Sequence, residues 1–171
     1  ATVACLSPVL TLDNGEKYQL DPEEQTEIYV DEEVKAYQAG GGLIYDTTAR
    51  QEENKYNRIE VPRGSEYWIV LPDGTRVWLN AATELKYPVA FHAKERRVYL
   101  KGEAYFEVAP DKNRPFYVET EEVKVRVLGT VFNVNTHYTR GVRTVLVEGA
   151  VALESVSYTH LRAHETRSKL V

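Results

Sequence analysis

The feature that most constrains this fold is a strict alternation of apolar and polar residues over positions 97–108. Successive side chains of a β-strand point to opposite faces, so the pattern predicts extended chain with one buried row and one solvated row. The predicted buried row consists of Val98, Leu100, Ala104, Phe106 and Val108, with Gly102 among them. The predicted solvated row consists of Arg97, Tyr99, Lys101, Glu103, Tyr105 and Glu107. Because Gly102 has no side chain, we expect a bulge or a close backbone crossing there.

Two later segments alternate in the same way. In residues 123–134 the apolar parity slips near Gly129, which predicts a bend or a bulge at that glycine. The apolar positions on either side of the slip are Val123, Val125 and Val127, then Leu128, Phe132 and Val134. In residues 142–153 the predicted inward positions are Val145, Val147, Val151 and Leu153, with Gly149 in the same row.

Two turns carry hairpin signals. Short apolar runs in residues 8–20 flank Asp13-Asn14-Gly15, and Asn-Gly supplies the positive φ angles that hairpin turns need. The same arrangement returns at Pro72-Asp73-Gly74-Thr75, between candidate strands at residues 67–71 and 76–80. In this second turn proline presets φ, and Gly74 is expected in the left-handed region.

The remaining segments carry weaker signals. Residues 21–33 hold seven carboxylates and are expected to form a solvated face or loop. Residues 39–42 read Ala-Gly-Gly-Gly and predict a flexible break, and the polar residues 47–57 predict a linker. Residues 81–87 are compatible with one short helical turn, but no segment has the period of a long amphipathic helix.

These patterns predict an all-β fold of many short antiparallel strands in a solenoid-like or sandwich-like stack. The 12 Tyr residues and the frequent β-branched residues suit half-buried strands. We expect an upstream segment at residues 1–57, a β domain at residues 58–154, and a foreign tail at residues 155–171.

Both ends of the chain indicate a fragment. The sequence has no Met and its start lacks the basic region of a signal peptide, so we expect a piece cut from a longer protein. Residues 156–166 read V-S-Y-T-H-L-R-A-H-E-T and resemble one reading frame of a sequencing-library adapter. His160 and His164, four residues apart in that tail, are therefore not taken as a metal pair.

Composition and spacing argue against several function classes. The net charge of −5 disfavours a nucleic-acid partner, and no apolar run approaches the roughly 18–20 residues of a membrane helix. Glu103 and Glu107 share a strand face, but about 13 Å would separate them, against about 5–9.5 Å for a glycosidase pair. Cys5 is expected to be a small buried or inert residue, and His92 and His137, which are isolated in sequence, are expected to be surface or turn histidines. We predict no catalytic residue, cofactor or metal site, and a carboxylate pair formed across strands stays an open alternative.

Trp68 and Trp78 flank the Asp73-Gly74 turn and form the basis of an alternative function. If they share a face, they are either part of the core or an exposed aromatic platform. An exposed pair would favour a carbohydrate-binding or adhesive β module, because sugars stack on aromatic faces.

A series of short segments, in this order and spacing over residues 58–153, resembles the FecR family of transmembrane sigma-factor regulators. The segments are Val61-Pro62-Arg63-Gly64, Leu71-Pro72-Asp73-Gly74-Thr75, Val77-Trp78-Leu79-Asn80, Tyr87-Pro88-Val89-Ala90-Phe91, Arg96-Arg97-Val98, Leu100-Lys101-Gly102-Glu103-Ala104-Tyr105-Phe106-Glu107-Val108, Pro115-Phe116, Val127-Leu128-Gly129-Thr130, Phe132-Asn133-Val134 and Val147-Glu148-Gly149.

The resemblance implies a non-enzymatic periplasmic region of a protein anchored in the inner membrane. It implies that the signalling domain of a TonB-dependent outer-membrane transporter is the partner. It also implies that an extracytoplasmic-function sigma factor is bound only by a cytoplasmic segment, which we expect to be missing here together with the membrane helix. We expect the partner to contact an accessible strand edge near the solvated row Tyr99, Lys101, Glu103, Tyr105 and Glu107.

Overall fold

The computed structural model describes residues 7–30, 34–46, 55–91 and 93–156. Within these ranges sixteen β-strands form two eight-stranded sheets, and the same ranges contain no helix. None of these segments therefore forms a helix long and apolar enough to cross a bilayer. The predicted all-β class is confirmed, and the arrangement is sandwich-like.

Sheet I contains both ends of the described chain. Its strands are β1 (Val9–Thr11), β2 (Lys17–Gln19), β6 (Tyr56–Val61), β9 (Thr83–Pro88), β10 (Arg96–Lys101), β12 (Phe116–Glu119), β13 (Val123–Val127) and β16 (Ala152–Ser155). They lie in the order β16-β13-β12-β10-β9-β6-β1-β2. Neighbours are antiparallel except β10 and β12, which are parallel.

Sheet II packs against the inner face of sheet I. Its strands are β3 (Thr26–Tyr29), β4 (Lys35–Ala39), β5 (Gly42–Tyr45), β7 (Tyr67–Val70), β8 (Arg76–Leu79), β11 (Glu103–Glu107), β14 (Val131–Asn135) and β15 (Arg143–Glu148). They lie in the order β15-β14-β11-β8-β7-β5-β4-β3, with β5 and β7 parallel. The chain therefore alternates between the sheets, a strand or a small group of strands at a time.

The core lies between the two sheets and contains the predicted buried row. Val98, Leu100, Ala104, Phe106 and Val108 are each at most 5% exposed. The Phe106 ring stacks on Phe132 at 5.2 Å and meets Phe116 of the opposite sheet at 6.3 Å. Burial of aromatic and branched side chains from both sheets is the main force that holds the sandwich closed.

Gly102 is the corner at which the chain leaves sheet I and enters sheet II. Its φ is +121°, and a Cβ there would lie 2.7 Å from the Thr83 Cα, so the predicted close backbone approach is confirmed. Because the chain bends around the core, the same parity points inward in β10 and in β11. The alternation of residues 97–108 thus spans two strands in different sheets.

Residues 81–87, compatible in sequence with one short helical turn, are not helical, because residues 81–82 form a turn and strand β9 begins at Thr83. Thr83, Leu85 and Tyr87 alternate inward and are buried, and the strand pairs with both β6 and β10. Pairing with a strand on each side stabilises the extended form, and this stabilisation outweighs the weak helical preference of Ala-Ala-Thr-Glu-Leu-Lys.

The slip near Gly129 is another passage between the sheets, from β13 to β14. A Cβ at Gly129 would lie 2.7 Å from the Pro110 Cα, which explains the glycine. Leu128 lies in this passage and is 42% exposed, whereas Phe132 and Val134, which share its parity, are buried.

The predicted inward row of residues 142–153 is only partly right. Val151 and Leu153 pack against the core, but Val147 is 61% exposed and Leu146 packs inward instead. Val145 pairs with Asn133 on the outer side. The pairing of β14 with β15 shifts between Val131 and Phe132, and such a bulge reverses the parity of the strand.

The two predicted hairpin turns are confirmed and have the same geometry. In the first, the Gly15 N–H donates to the Leu12 carbonyl at 2.9 Å, and in the second the Gly74 N–H donates to the Leu71 carbonyl at 2.9 Å. Gly15 and Gly74 have φ of +90° and +86°. Residues 39–42, predicted as a flexible break, instead form the tight turn between β4 and β5.

Strands on both sides of the predicted boundary at residue 57 share sheets and core. β1 pairs with β6, and β5 pairs with β7. Residues 47–54, most of the predicted linker, lie outside the described residues, as do Cys5 and residues 157–171. Strand β16 ends at Ser155, the first residue of the predicted tail.

A buried guanidinium joins the loops at one end of the sandwich. The Arg96 side chain is 1% exposed, the Asp73 side chain is 2% exposed, and their Nη1 and Oδ2 atoms are 2.9 Å apart. Arg96 also donates to three backbone carbonyls, those of Ala109 at 2.7 Å, Arg114 at 2.9 Å and Leu128 at 3.2 Å. This one side chain therefore connects the β7–β8 turn of sheet II, strand β10 of sheet I and both segments that flank β12 and β13.

A second buried polar cluster connects the sheets near the N-terminal strands. The Tyr45 and Tyr87 hydroxyl oxygens are 2.7 Å apart, and Asn57 Nδ2 donates to the Tyr45 hydroxyl at 2.8 Å. Burial raises the pKa of Tyr45 to about 12, against smaller opposing effects of the hydrogen bonds from Tyr87 and Asn57. Burial, and then the neighbouring Tyr45, raise the pKa of Tyr87 well above its usual value.

This cluster predicts a loss of stability at high pH. The unfolded chain releases the Tyr45 proton near pH 10 and the folded chain releases it near pH 12, so the stabilisation is complete below about pH 10 and is lost as the pH rises towards 12. We expect Tyr45 to account for a fall of about 2 kcal/mol in the free energy of unfolding by pH 12. Urea unfolding of the native chain and of Tyr45→Phe, which has no phenolic proton, measures this fall. Equal slopes against pH in the two proteins would contradict the assignment.

Candidate binding cleft on sheet II

The outer faces of the two sheets differ in chemistry. On sheet I the charged groups neutralise one another in a set of ion pairs: Arg58–Glu60, Arg58–Glu84, Arg97–Glu95, Arg97–Glu119 and Lys124–Glu119. The tyrosine rings of this face are also covered by cations, since Lys86 Nζ lies 5.3 Å from the Tyr56 centroid and 5.7 Å from the Tyr99 centroid. This face is therefore a self-paired, solvated surface.

The outer face of sheet II presents a row of aromatic and amide side chains instead. Four adjacent strands place Trp68, Trp78, Tyr105 and Asn133 side by side, each the cross-strand partner of the next. The side chain of Trp78 is 40% exposed, and its ring meets that of Tyr105 at 5.6 Å and 63°. The alternation that buries Val77, Leu79, Ala104 and Phe106 is what directs these rings outward.

Trp68 is seated on the glycine turn between β4 and β5. Its Nε1 donates to the Gly40 carbonyl at 3.2 Å, and a Cβ at Gly42 would lie 2.1 Å from the indole. The glycines predicted as a flexible break therefore make room for an aromatic ring. Because the partner ring lies 26 residues further along the chain, the sequence alone gave no signal of this contact.

Glu103 is held in a fixed orientation beside the rings. Asn80 Nδ2 donates to Glu103 Oε2 at 3.0 Å, and Asn133 Nδ2 donates to Glu103 Oε1 at 3.0 Å. The Asn80 amide is itself fixed, because its oxygen accepts the Ala81 N–H at 2.8 Å. A carboxylate has about four acceptor positions, so each oxygen of Glu103 keeps capacity for a ligand.

These groups line an open cavity of about 430 Å³, which we call the tryptophan cleft. Its lining is Gly40, Gly41, Glu66, Tyr67, Trp68, Trp78, Leu79, Asn80, Glu103, Ala104, Tyr105 and Asn133. Two carboxylates and no Lys or Arg belong to this set. The cleft is therefore acidic as well as aromatic.

The structure separates the residues of the predicted partner row at the Gly102 corner. Tyr99 and Lys101 lie on β10 and line a second cavity, of about 290 Å³, on sheet I. Glu103, Tyr105 and Glu107 lie on β11 of sheet II, and the first two line the tryptophan cleft. Burial, followed by the charge of Glu119, raises the pKa of Tyr99. That any of the five binds a partner stays a prediction.

The described residues hold no group of three or more His, Cys, Asp or Glu arranged for a metal ion. His137 is exposed, with its Nε2 3.4 Å from the Ala81 carbonyl oxygen. His92, His160 and His164 lie outside the described residues.

Comparisons with known proteins identify relatives of the β domain. Residues 57–152 match the family model described as FecR protein, close to the predicted range of 58–154. Two solved structures are similar, both described as a candidate anti-sigma factor from Parabacteroides distasonis ATCC 8503. One is 37% identical with a TM-score of 0.56, covering 59% of this chain and 48% of that one. The other is 38% identical with a TM-score of 0.55, covering 58% and 47%.

The chain thus spans about half the length of these two solved structures. The comparison with curated proteins finds no match.

The close packing of the Trp68 indole against Gly42 predicts the effect of adding one methyl group at position 42. Gly42 does not have a positive φ, so Gly42→Ala changes the contact with the indole without straining the backbone. We expect a loss of about 1–3 kcal/mol in the free energy of unfolding, because the ring has to move. Urea unfolding and the tryptophan emission maximum measure the two effects. In a Trp68→Leu background the same alanine is expected to cost less than half as much; an equal cost in both backgrounds would contradict the contact.

Proposed function

Because this chain belongs to the FecR family, whose model matches residues 57–152, we propose that it is the signal-receiving part of a FecR-type transmembrane regulator. In this proposal the two sheets lie in the periplasm and receive a signal from the signalling domain of a TonB-dependent outer-membrane transporter. The signal passes through a membrane helix to a cytoplasmic segment that binds an extracytoplasmic-function sigma factor.

The observation that carries a regulatory role is the family match together with the two solved relatives. Both relatives are described as candidate anti-sigma factors, and both share more than a third of their aligned residues with this chain.

The geometry of the sheet edges bears on where a partner would bind. Strand addition needs a regular edge, but β15, the longest strand at an edge of either sheet, carries a bulge next to Val147. The other edge strands have only three or four residues. The outer face of sheet II, with its exposed rings and few internal ion pairs, therefore fits a protein partner better than an edge does.

Gly102 divides the predicted row into residues on sheet I and residues on sheet II. Charge reversals on the two sides of Gly102 therefore test which surface binds the partner. We expect Glu103→Lys, on sheet II, to abolish co-purification of the full-length regulator with the transporter signalling domain. Lys101→Glu, two residues away on sheet I, is the matched charge-reversal control and is expected to leave co-purification unchanged. Loss with the control alone would place the partner on sheet I, and no co-purification with the native protein would count against the proposed function.

A further inference from the structure

We propose that the tryptophan cleft binds the guanidinium of an arginine presented by a protein segment. The inference deepens the proposed function and rests on it, since the signalling partner would supply that segment. The proposed ligand group is a planar cation, which would lie between the aromatic rings and a carboxylate of the cleft.

The carboxylates of the cleft have no cation beside them in the cleft lining. Glu66 and Glu103 line it without a cation, and none of the ion pairs among the described residues includes either of them. On sheet I, by contrast, Glu119 and Glu84 each have an Arg or Lys partner within the same face. The tryptophan cleft therefore contains two carboxylates that have no ion-pair partner among the described residues.

The aromatic rings of the cleft also differ from those of sheet I in their contacts with cations. On sheet I, Arg97 lies 5.0 Å from the centroid of Tyr117, and Lys86 covers two further tyrosines. Among the described residues, no such contact involves Trp68, Trp78 or Tyr105. A tryptophan face is the strongest of the aromatic cation sites, and the exposed Trp78 leaves it accessible.

The relative orientation of the rings also suits a planar cation. Trp78 and Tyr105 are inclined at 63°, so they form two walls of a corner and not a flat platform. Glu103 stands on the same strand as Tyr105, two residues away. A guanidinium can stack on one wall while its N–H groups donate to the carboxylate, which an ammonium without a plane does less well.

The preset orientation of Glu103 completes the site. Asn80 and Asn133 each donate one N–H to a different oxygen of the Glu103 carboxylate. The carboxylate is therefore oriented before any ligand arrives. Such preorganisation lowers the entropic cost of binding. One N–H of each side-chain amide is committed to Glu103, and the remaining acceptor positions of the carboxylate face the N–H donors of a ligand.

The experiment uses the tryptophans as reporters, since the only two in the sequence, Trp68 and Trp78, both line the cleft. The intact chain is titrated with N-acetyl-arginine amide, and its tryptophan emission is recorded. N-acetyl-citrulline amide, which has nearly the same shape without the charge, is the matched ligand control. We expect a saturable change with a millimolar dissociation constant for the arginine probe and no saturable change for the citrulline probe.

Two variants separate the cleft from the rest of the surface. Glu103→Gln keeps the shape and removes the charge, and we expect it to weaken binding of the arginine probe by about two- to fivefold. Glu119→Gln, on sheet I, is the matched control and is expected to bind like the native chain. If thermal unfolding shows that Glu103→Gln is not folded, Glu66→Gln takes its place, with a smaller weakening expected.

Three outcomes would overturn the inference: equal responses to the two probes, unchanged binding in the glutamine variant, or saturation by a neutral disaccharide such as maltose. The last would assign the cleft to carbohydrate binding. Because the titration needs no partner protein, its failure alongside successful co-purification would reject the arginine site and leave the proposed function standing. Success of the titration with failed co-purification would reject the transporter partner instead.

Discussion

The buried guanidinium of Arg96 is the interaction on which the arrangement of the two sheets depends. A charged group that is 1% exposed is tolerated only when its hydrogen bonds are made, and Arg96 makes them to Asp73 and to three carbonyls. Its partners come from loops that serve both sheets, so none of these loops can shift without leaving a donor unsatisfied. Asp73 also accepts the Thr75 N–H and hydroxyl at 2.9 and 2.7 Å, which couples the ion pair to the β7–β8 turn.

The outward position of the tryptophan cleft follows from this arrangement. With the β7–β8 turn fixed, Val77 and Leu79 point into the core, and Trp78 between them has to point outward. The Gly102 corner then brings β11 alongside β8, so that Tyr105 and Glu103 join the same face. The segments that resemble the family contain frame residues, such as Asp73 and Arg96, and also cleft residues, such as Trp78, Glu103 and Asn133. The cleft is a consequence of that frame, and its chemistry is set by the side chains pointing outward.

Local features were predictable from the sequence, and features that join distant residues were not. The parity of residues 97–108 and the positive φ of Gly74 follow from neighbouring residues, and both were predicted. The strand at Thr83–Pro88 was missed because its stability comes from pairing with β6 and β10. The alternation could not show that β10 and β11 lie in different sheets, so Tyr99 and Glu103 were wrongly expected on one surface. The cleft itself depends on the register of four strands, which no single segment encodes.

A double-mutant cycle between Asp73 and Arg96 tests most directly whether the buried ion pair holds the two sheets in place. We expect Asp73→Ala and Arg96→Met each to lower the free energy of unfolding by about 3–5 kcal/mol, because each leaves a buried charge without its partner. The double variant should cost at least about 2 kcal/mol less than the sum of the single variants, as measured by urea unfolding. Additive costs, or single-variant costs below about 1 kcal/mol, would contradict the account.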